Sequence, residues 1–228
     1  MDMAQTHEIV FLFDVDNTLL DNDHVVADLG AYLDKQFGHE RREHYFAIFE
    51  ELRQQLGYAD YLGALQRYRI AHPTDPGLLK VSSFLVDYPF ANRLFPNSLD
   101  AIAHCRKWGP AVVLSDGDVV FQPRKVERSG IYEAVEGRVL IYIHKEQMLA
   151  DVEARYPAKN YVLVDDKVRI LTAVKQIWKD KLTSVFPRQG HYAMDAASVR
   201  SYPTPDVTIE RIGDLVGVDF DNKVGKAR

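Results

Sequence analysis

The chain has 228 residues, with 28 basic and 33 acidic side chains and a formal net charge of −5. Hydrophobic residues make up 46% and charged residues 27%, a composition that excludes a disordered or fibrous protein. The mildly acidic balance, without a block of lysine or arginine, argues against nucleic acids and anionic membranes as partners. The length allows one large domain, or a core domain with a smaller one.

The cysteine content and the length of the apolar runs indicate the cellular compartment of the protein. Cys105 is the single cysteine, which excludes an intrachain disulfide framework and a cysteine metal cluster. Residues 1–8 lack the basic start and the apolar stretch of a signal peptide. Because no apolar run approaches the ~20 residues that a membrane span needs, we expect a soluble cytoplasmic protein.

Short apolar runs predict the strands. The four strongest cover residues 9–13, 111–114, 139–143 and 161–164, and two shorter ones cover residues 184–186 and 207–209. They are continuous rather than alternating, as in strands that are covered on both faces of a parallel sheet. Between them, two sets of apolar residues are predicted to share a helix face: Leu99, Ile102 and Cys105, and then Ile170, Leu171, Val174, Ile177 and Trp178. The alternation of strands and helices predicts an α/β fold with a doubly wound parallel sheet, whereas residues 219–228 are expected to be loose.

The interval between the first two strands is different in character. Residues 19–96 contain no convincing strand and are far longer than one crossover helix. Apolar residues recur there at helical spacing in three sets: Val26, Leu29, Leu33 and Phe37; Tyr45, Phe49, Leu52 and Leu56; Tyr61, Leu65 and Tyr68. We predict that residues 22–93 form an all-helical domain, inserted into a sheet domain made of residues 1–21 and 94–228.

Polar residues follow the apolar runs at the places where ligands bind in open parallel sheets. They are Asp14 and Asp16 after the first run, Ser115 and Asp116 after the second, Lys145 after the third, and Asp165 and Asp166 after the fourth. Alone, each aspartate or serine is commonly a turn former or a helix cap, and the lysine a solvated residue at a helix start. Together, the carboxylates would repel one another without a cation, and Mg²⁺ prefers such oxygen ligands. A lysine and a serine nearby would complement an anionic group, which indicates phosphoryl chemistry.

These residues also resemble the motifs of the haloacid dehalogenase-like (HAD) superfamily. FLFDVDNTL, residues 11–19, is similar to the first motif, DxDxT after a buried strand. Ser115 matches the second motif, Lys145 the third and the pair Asp165–Asp166 the fourth, in the family's order. The resemblance covers nearly the whole chain and implies a Rossmann-like core with a C1-type helical cap. Two departures concern Val164, where the family often has glycine, and Lys145, which lacks the frequent following proline; Lys125 and Lys167 stay open as alternatives to Lys145.

The resemblance implies roles for the matched residues. Asp14 would be the nucleophile that forms an aspartyl-phosphate, and Asp16 the general acid and base, with its backbone carbonyl at the metal. Lys145 would be catalytic and would bind the substrate together with Ser115 and Asp116. The Mg²⁺ ligands would be Asp14, Asp16, Asp165 and Asp166. Candidate substrate contacts in the cap are Arg41, Arg42, Tyr45, Arg53, Tyr58, Arg67 and Arg69.

The expected function is therefore a Mg²⁺-dependent phosphatase whose partner is a small phosphorylated metabolite. A phosphomutase of the same superfamily would use the same residues. The dehalogenating members need no metal and lack an aspartate at the position of Asp16, so the presence of Asp16 favours phosphoester chemistry. A non-catalytic phosphate-binding or regulatory module is a further alternative, whereas scaffolding through the helical segment has no positive signal. The oligomeric state is left open.

Overall fold

One parallel sheet organises the protein, which a computed structural model describes for residues 6–220. The strands are β1 (His7–Phe13), β2 (Ala111–Asp116), β3 (Val139–Tyr142), β4 (Ala158–Val164), β5 (Leu182–Pro187) and β6 (Val207–Ile209). Their spatial order is β3-β2-β1-β4-β5-β6, and every neighbouring pair is parallel. The predicted doubly wound, Rossmann-like α/β fold is confirmed, and both shorter apolar runs are strands.

Four α-helices make up most of residues 22–93, in the long interval between β1 and β2. They are α1 (Asn22–Phe37), α2 (His39–Leu56), α3 (Tyr61–Ala71) and α4 (Gly77–Asp87), followed by a 3₁₀ helix at Phe90–Arg93. We call residues 22–93 the helical insertion. The first three helices coincide with the three predicted sets of apolar residues, whereas α4 has no counterpart among them. It packs on the others through Leu78, Val81 and Leu85.

Of the remaining helices, the first precedes β2 and the others lie between and after the later strands. They are α5 (Ser98–Cys105), α6 (Phe121–Arg128), α7 (Ile131–Ala134), α8 (Leu149–Arg155), α9 (Val168–Trp178), α10 (Gly190–Met194) and α11 (Ala196–Arg200). Short 3₁₀ helices cover Lys145–Gln147, Lys179–Lys181 and Ile212–Gly217. Among the described helices, none has the length and apolarity that crossing a membrane requires.

Two hydrophobic layers cover the two faces of the sheet, which explains the continuous apolar runs. Phe11 and Phe13 of β1 point to the layer that includes the helical insertion and α5. Val10 and Leu12 point to the opposite layer, which includes α8 and α9. All four side chains are fully buried. A central strand covered on both faces has no solvent-facing position at which a polar residue would be favoured.

Three expectations about individual apolar residues were wrong. Leu99 is 37% exposed and Ile177 is 60% exposed, because each lies at or beyond the edge of its helix's buried face. Phe220 falls in the segment that was expected to be loose, yet it is fully buried and packs edge-on against Phe11 and Trp108, with ring centroids 4.9 and 5.6 Å away. The remainder of that segment, residues 221–228, lies outside the described residues.

Candidate active site

The chain order places the candidate site at the middle of the sheet. β1 lies between β2 and β4, and the direction of strand addition reverses between β1 and β4. Ligands bind at such a switch point, at the carboxyl ends of the strands. The loops after β1, β2, β3 and β4 all meet there.

The loop after β1 is held to the loop after β4. The backbone N–H of Asp14 donates to the carbonyl of Val164 at 3.0 Å. Thr18 Oγ1 donates to Asp14 Oδ2 at 3.4 Å and accepts a hydrogen bond from the Asp166 N–H at 3.0 Å. Thr18 thereby orients both acidic loops.

Lys145 lies at the centre of the site and is fully buried. Its Nζ is 2.5 Å from Asp14 Oδ1 and 2.7 Å from Asp165 Oδ2. The backbone N–H of Lys145 donates to Asp116 Oδ1 at 2.7 Å, so Asp116 positions the lysine. Ser115 Oγ lies 3.5 Å from the same oxygen, Asp14 Oδ1. Lys145 therefore contacts both Asp14 and Asp165, and Ser115 contacts Asp14.

Burial controls the titration of these groups. It raises the pKa of Asp165 and raises that of Asp166 well above its ordinary value, since a buried carboxylate loses hydration. Burial also raises the pKa of Asp116. For Lys145, burial alone would lower the pKa, but the carboxylates of Asp14 and Asp165 outweigh it, and the lysine pKa lies above its ordinary value.

Three of these carboxylates fit a divalent cation. Asp14, Asp165 and Asp166 each offer one oxygen, and the three oxygens lie within 4.8 Å of one another. Asp166 is buried, and neither of its side-chain oxygens has a hydrogen-bond partner among the described residues. Buried polar atoms normally have partners, so a cation is the natural partner of this carboxylate. Carboxylate oxygens are hard ligands, which divalent cations such as Mg²⁺ prefer.

The side chain of Asp16 is not part of this three-carboxylate group. Its Oδ1 instead lies 2.5 Å from Nζ of Lys125, a fully buried residue of α6. A metal contact through the backbone carbonyl of Asp16, the form that the resemblance implies, stays a prediction.

The geometry distinguishes the three candidate lysines. Lys145 contacts Asp14 directly, and Lys125 contacts Asp16. The Lys167 side chain has its Nζ 5.1 Å from the ring centroid of Tyr192, and its pKa is raised because Asp14 and Asp166 outweigh the effect of burial. Lys145 is therefore the best placed to hold an anionic group against Asp14.

A cavity of about 620 Å³ lies between the helical insertion and the ends of the strands. Asp16, Asp116 and Lys167 line it from the loops of the sheet. Of the seven candidate contacts in the insertion, only Arg53 and Tyr58 line it. The others have different surroundings: Tyr45, for example, is buried and donates to the backbone carbonyl of Tyr61, and Arg41 pairs with Asp75.

His191 and Tyr192, which follow β5, also line the cavity. The sequence pattern had given these residues no role. The His191 N–H donates to Asp23 Oδ2 at 2.9 Å, and Arg53 Nη1 donates to the Tyr192 hydroxyl at 3.0 Å. Gly190 permits this approach, since its φ is +70° and a Cβ there would lie 2.4 Å from the Cβ of Asn17. The sequence signal that could have identified this segment is its position directly after the predicted strand at residues 184–186.

Two polar residues of α6 contact the site, of which sequence analysis assigned Gln122 no role and kept Lys125 only as an alternative to Lys145. Gln122 Nε2 donates to Ser115 Oγ at 3.0 Å, and Lys125 reaches Asp16. They lie three positions apart, so they share one helix face. A polar pair on the helix that directly follows the Ser115 loop is the signal that could have identified them.

Fold, site and sequence together establish the family. A family model of haloacid dehalogenase-like hydrolases matches residues 10–178, and the chain belongs to this family. A crystal structure from Burkholderia xenovorans LB400, described as a haloacid dehalogenase-like hydrolase, is 63% identical. It has a TM-score of 0.89, and the match covers 93% of this chain and 99% of that one. No curated protein matches the chain.

More distant structures share the fold. The L-2-haloacid dehalogenase of Xanthobacter autotrophicus, solved with chloropropionic acid covalently bound, is 16% identical with a TM-score of 0.58, and the match covers 91% of this chain and 96% of that one. The HAD-hydrolase YfnB of Bacillus subtilis, solved bound to magnesium, is 15% identical with a TM-score of 0.61, covering 93% and 98%.

Proposed function

We propose that the protein is a Mg²⁺-dependent phosphatase that hydrolyses a small phosphorylated metabolite through an aspartyl-phosphate on Asp14. The observation that carries the proposal is the buried group Asp14, Asp165 and Asp166, in which both Asp166 oxygens lack partners among the described residues. A buried carboxylate without a partner is costly, and a divalent cation would remove that cost.

The charge balance supports the same reaction. Four carboxylates, those of Asp14, Asp116, Asp165 and Asp166, interact with the ammonium groups of Lys145 and Lys167. When all are ionised, two negative charges are in excess, which one divalent cation compensates. A phosphate ester adds further negative charge, so a cation is needed before substrate and nucleophile can approach each other.

In the proposed reaction, the Asp14 carboxylate attacks phosphorus while the bond from phosphorus to the leaving oxygen breaks. Lys145 and Ser115 hold Asp14 Oδ1 and fix the orientation of the carboxylate. Asp16 gives a proton to the leaving oxygen, then takes one from the water that attacks the phosphoryl group and releases phosphate. When bound by Asp14, Asp165 and Asp166, Mg²⁺ supplies neutralisation of the phosphoryl charge.

The test is phosphate release from a panel of phosphorylated metabolites, with Mg²⁺ and with EDTA. We expect release by the wild type with Mg²⁺, and its loss in EDTA and in Asp14→Asn. Asp180→Asn, at an exposed position in the 3₁₀ helix after α9, is the matched control and should retain activity. Phosphate release that persists in EDTA and in Asp14→Asn would refute the proposal.

Dehalogenation of a small 2-haloacid is the second candidate, because L-2-haloacid dehalogenases share the fold and Lys145 neutralises Asp14 without a metal. Chloride release from 2-chloropropionate that is insensitive to EDTA would establish dehalogenation in place of phosphatase activity.

A phosphomutase and a binding module would each give a different result in the same assays. The phosphomutase would return an isomerised sugar phosphate with little free phosphate, and the binding module would bind a ligand with Mg²⁺ and form no product.

A further inference from the structure

Lys125 is a buried cation that lies outside the three-carboxylate group. It belongs to α6, is fully buried, and its Nζ lies 2.5 Å from Asp16 Oδ1 and 3.0 Å from Asn22 Oδ1. Lysine is almost never fully buried unless its charge is paired. The desolvation of this buried lysine is therefore offset by its contact with Asp16.

We propose that Lys125 is a positioning residue, which fixes the carboxylate of Asp16 for proton transfer and couples it to the start of the helical insertion. The kinetic part of this inference rests on the proposed function, in which Asp16 exchanges protons with the leaving group and with water. The structural part, that Lys125 orders the segment around Asp16, does not depend on the reaction.

The contacts of Asp16 support the first half of the proposal. Only its Oδ1 is held, and Oδ2 accepts no hydrogen bond from the described residues. The side chain is 25% exposed, and Asp16 lines the cavity. Holding one oxygen restricts rotation of the carboxylate while the other stays available to the cavity. Such restriction is the kind of pre-organisation that catalysis requires of a proton-transfer group.

The contacts of Asn22 support the second half. Asn22 is the first residue of α1, and its Nδ2 donates to the Tyr61 hydroxyl at 3.4 Å. Tyr61 stacks on Phe49, with ring centroids 4.6 Å apart, and its ring centroid lies 5.2 Å from that of Phe121. The Lys125 ammonium thus joins the loop after β1, the beginning of the insertion and aromatic residues at the cavity.

A purely structural role for Lys125 predicts different kinetics from a positioning role. If Lys125 only compensated a buried charge, its loss would lower stability and leave the kinetics of the folded enzyme unchanged. If it positions Asp16, its loss must lower kcat, and the loss must disappear when Asp16 can no longer transfer a proton. Coupling of this kind is what a double-mutant cycle measures.

The kinetic experiment compares Lys125→Met, Asp16→Asn and the double variant on the best phosphorylated substrate. Methionine is close to lysine in shape, and Asp16 stays partly solvated, so we expect Lys125→Met to fold. It should lower kcat by about 10–100-fold and change KM less than about 3-fold, and the double variant should stay within about 3-fold of Asp16→Asn. An unchanged kcat, or losses that multiply, would overturn the proposal.

Two further variants control this experiment. Lys125→Gln keeps an N–H donor near Asp16 and should recover part of the kcat lost in Lys125→Met. If Lys125→Met does not fold, Lys125→Gln replaces it in the comparison with the wild type and with Asp16→Asn. Lys159→Met removes an exposed lysine that pairs with Glu8, and it should leave kcat unchanged. Equal kcat for the glutamine and methionine variants, both folded and both at the wild-type level, would contradict a positioning role.

Hydrogen exchange tests the structural part without any substrate. In Lys125→Met, the amides of residues 14–24 should exchange about 10-fold faster than in the wild type, whereas those of residues 182–187 in β5 should be unchanged. Unaltered exchange across residues 14–24 would overturn the inference. If the wild type released no phosphate from any substrate, the phosphatase proposal would fail, and this comparison would still decide whether Lys125 orders the segment around Asp16.

Discussion

Single residues that follow β1, β3 and β4 form a buried group of charges in the site. Lys145 lies between Asp14 and Asp165, and none of the three side chains is more than 4% exposed. Buried ion pairs of this kind contribute little net stability, yet the loss of one partner leaves an uncompensated charge. Changes at these residues should therefore affect both stability and activity.

Lys145→Met is expected to lower the free energy of unfolding by about 3–5 kcal/mol, because it leaves Asp14 and Asp165 without their cation. Added Mg²⁺ should recover part of this loss. Urea unfolding with and without Mg²⁺ measures both effects, and Lys159→Met is the exposed control. A stability equal to that of the wild type would contradict this account of the site.

Mg²⁺ is expected to stabilise the wild type, by about 2.7 kcal/mol at 100 times its dissociation constant, if it binds only the folded state. In Asp166→Asn most of this stabilisation should be lost. The metal-free variant should be at least as stable as the metal-free wild type, since burial of the Asp166 carboxyl raises its pKa and disfavours the charged form. Thermal unfolding with Mg²⁺ and with EDTA tests both statements.

The stabilisation of the folded protein by Mg²⁺ is expected to depend on pH, because Asp166 is a proposed ligand with a raised pKa. The folded pKa of Asp166 is raised, so its contribution to the stability of the metal-free protein is present at low pH and is lost as the pH rises through that pKa. Stabilisation by Mg²⁺ should therefore be larger at pH 8 than at pH 5. An equal or smaller stabilisation at pH 8 would contradict the assignment of Asp166 as a ligand.

At the scale of elements, one polar network ties the two ends of the helical insertion together. Asp28 on α1 accepts hydrogen bonds from the Tyr88 hydroxyl and from Arg93, which lies in the 3₁₀ helix at the end of the insertion. Arg93 Nε also donates to the Tyr88 hydroxyl at 2.7 Å. The hydrogen bond from Tyr88, followed by that from Arg93, keeps the pKa of Asp28 below its ordinary value.

Asp28→Asn should cost about 0.5–1 kcal/mol at pH 7, a small value because both charged partners are about a third exposed and solvent screens them. Since the folded pKa is lowered, the wild type's advantage is present above about pH 4 and is lost as the pH falls through the folded value. Urea unfolding of both proteins between pH 7 and pH 3 would show the curves converge. A difference that grows toward low pH would refute this interpretation.

At the scale of the whole molecule, residues far apart in the chain close the hydrophobic layer on one face of the sheet. Phe220 comes after the last strand, yet it packs against Phe11 of the first strand and against Trp108. The 3₁₀ helix Ile212–Gly217, which precedes Phe220, packs on α5. The last described residues therefore contribute to the same core as the first strand.

Phe220→Ala is expected to lower the free energy of unfolding by about 3–5 kcal/mol, because it opens a cavity in a fully buried aromatic cluster. Val216→Ala, at a position 43% exposed and four residues earlier, should cost far less. Chemical denaturation of the two variants makes the comparison. Equal small losses for both would show that Phe220 does not support the core in solution.

The sequence by itself determined the six parallel strands and which polar side chains follow them. Continuous apolar runs specify strands covered on both faces, and parallel strands bring their carboxyl ends to one edge. That reasoning predicted the neighbourhood of Asp14, Ser115, Lys145 and Asp165. It worked because each residue directly follows a strand, so a short local pattern fixes its place.

Only the tertiary structure decided which long side chains meet. Lys125 pairs with Asp16 across 109 positions of sequence, and the direction of the lysine side chain depends on how α6 packs against α4 and α7. The burial of Phe220 and the exposure of Ile177 were decided in the same way. Local periodicity defines a helix or a strand, but contacts between distant segments depend on their mutual packing, which no local pattern encodes.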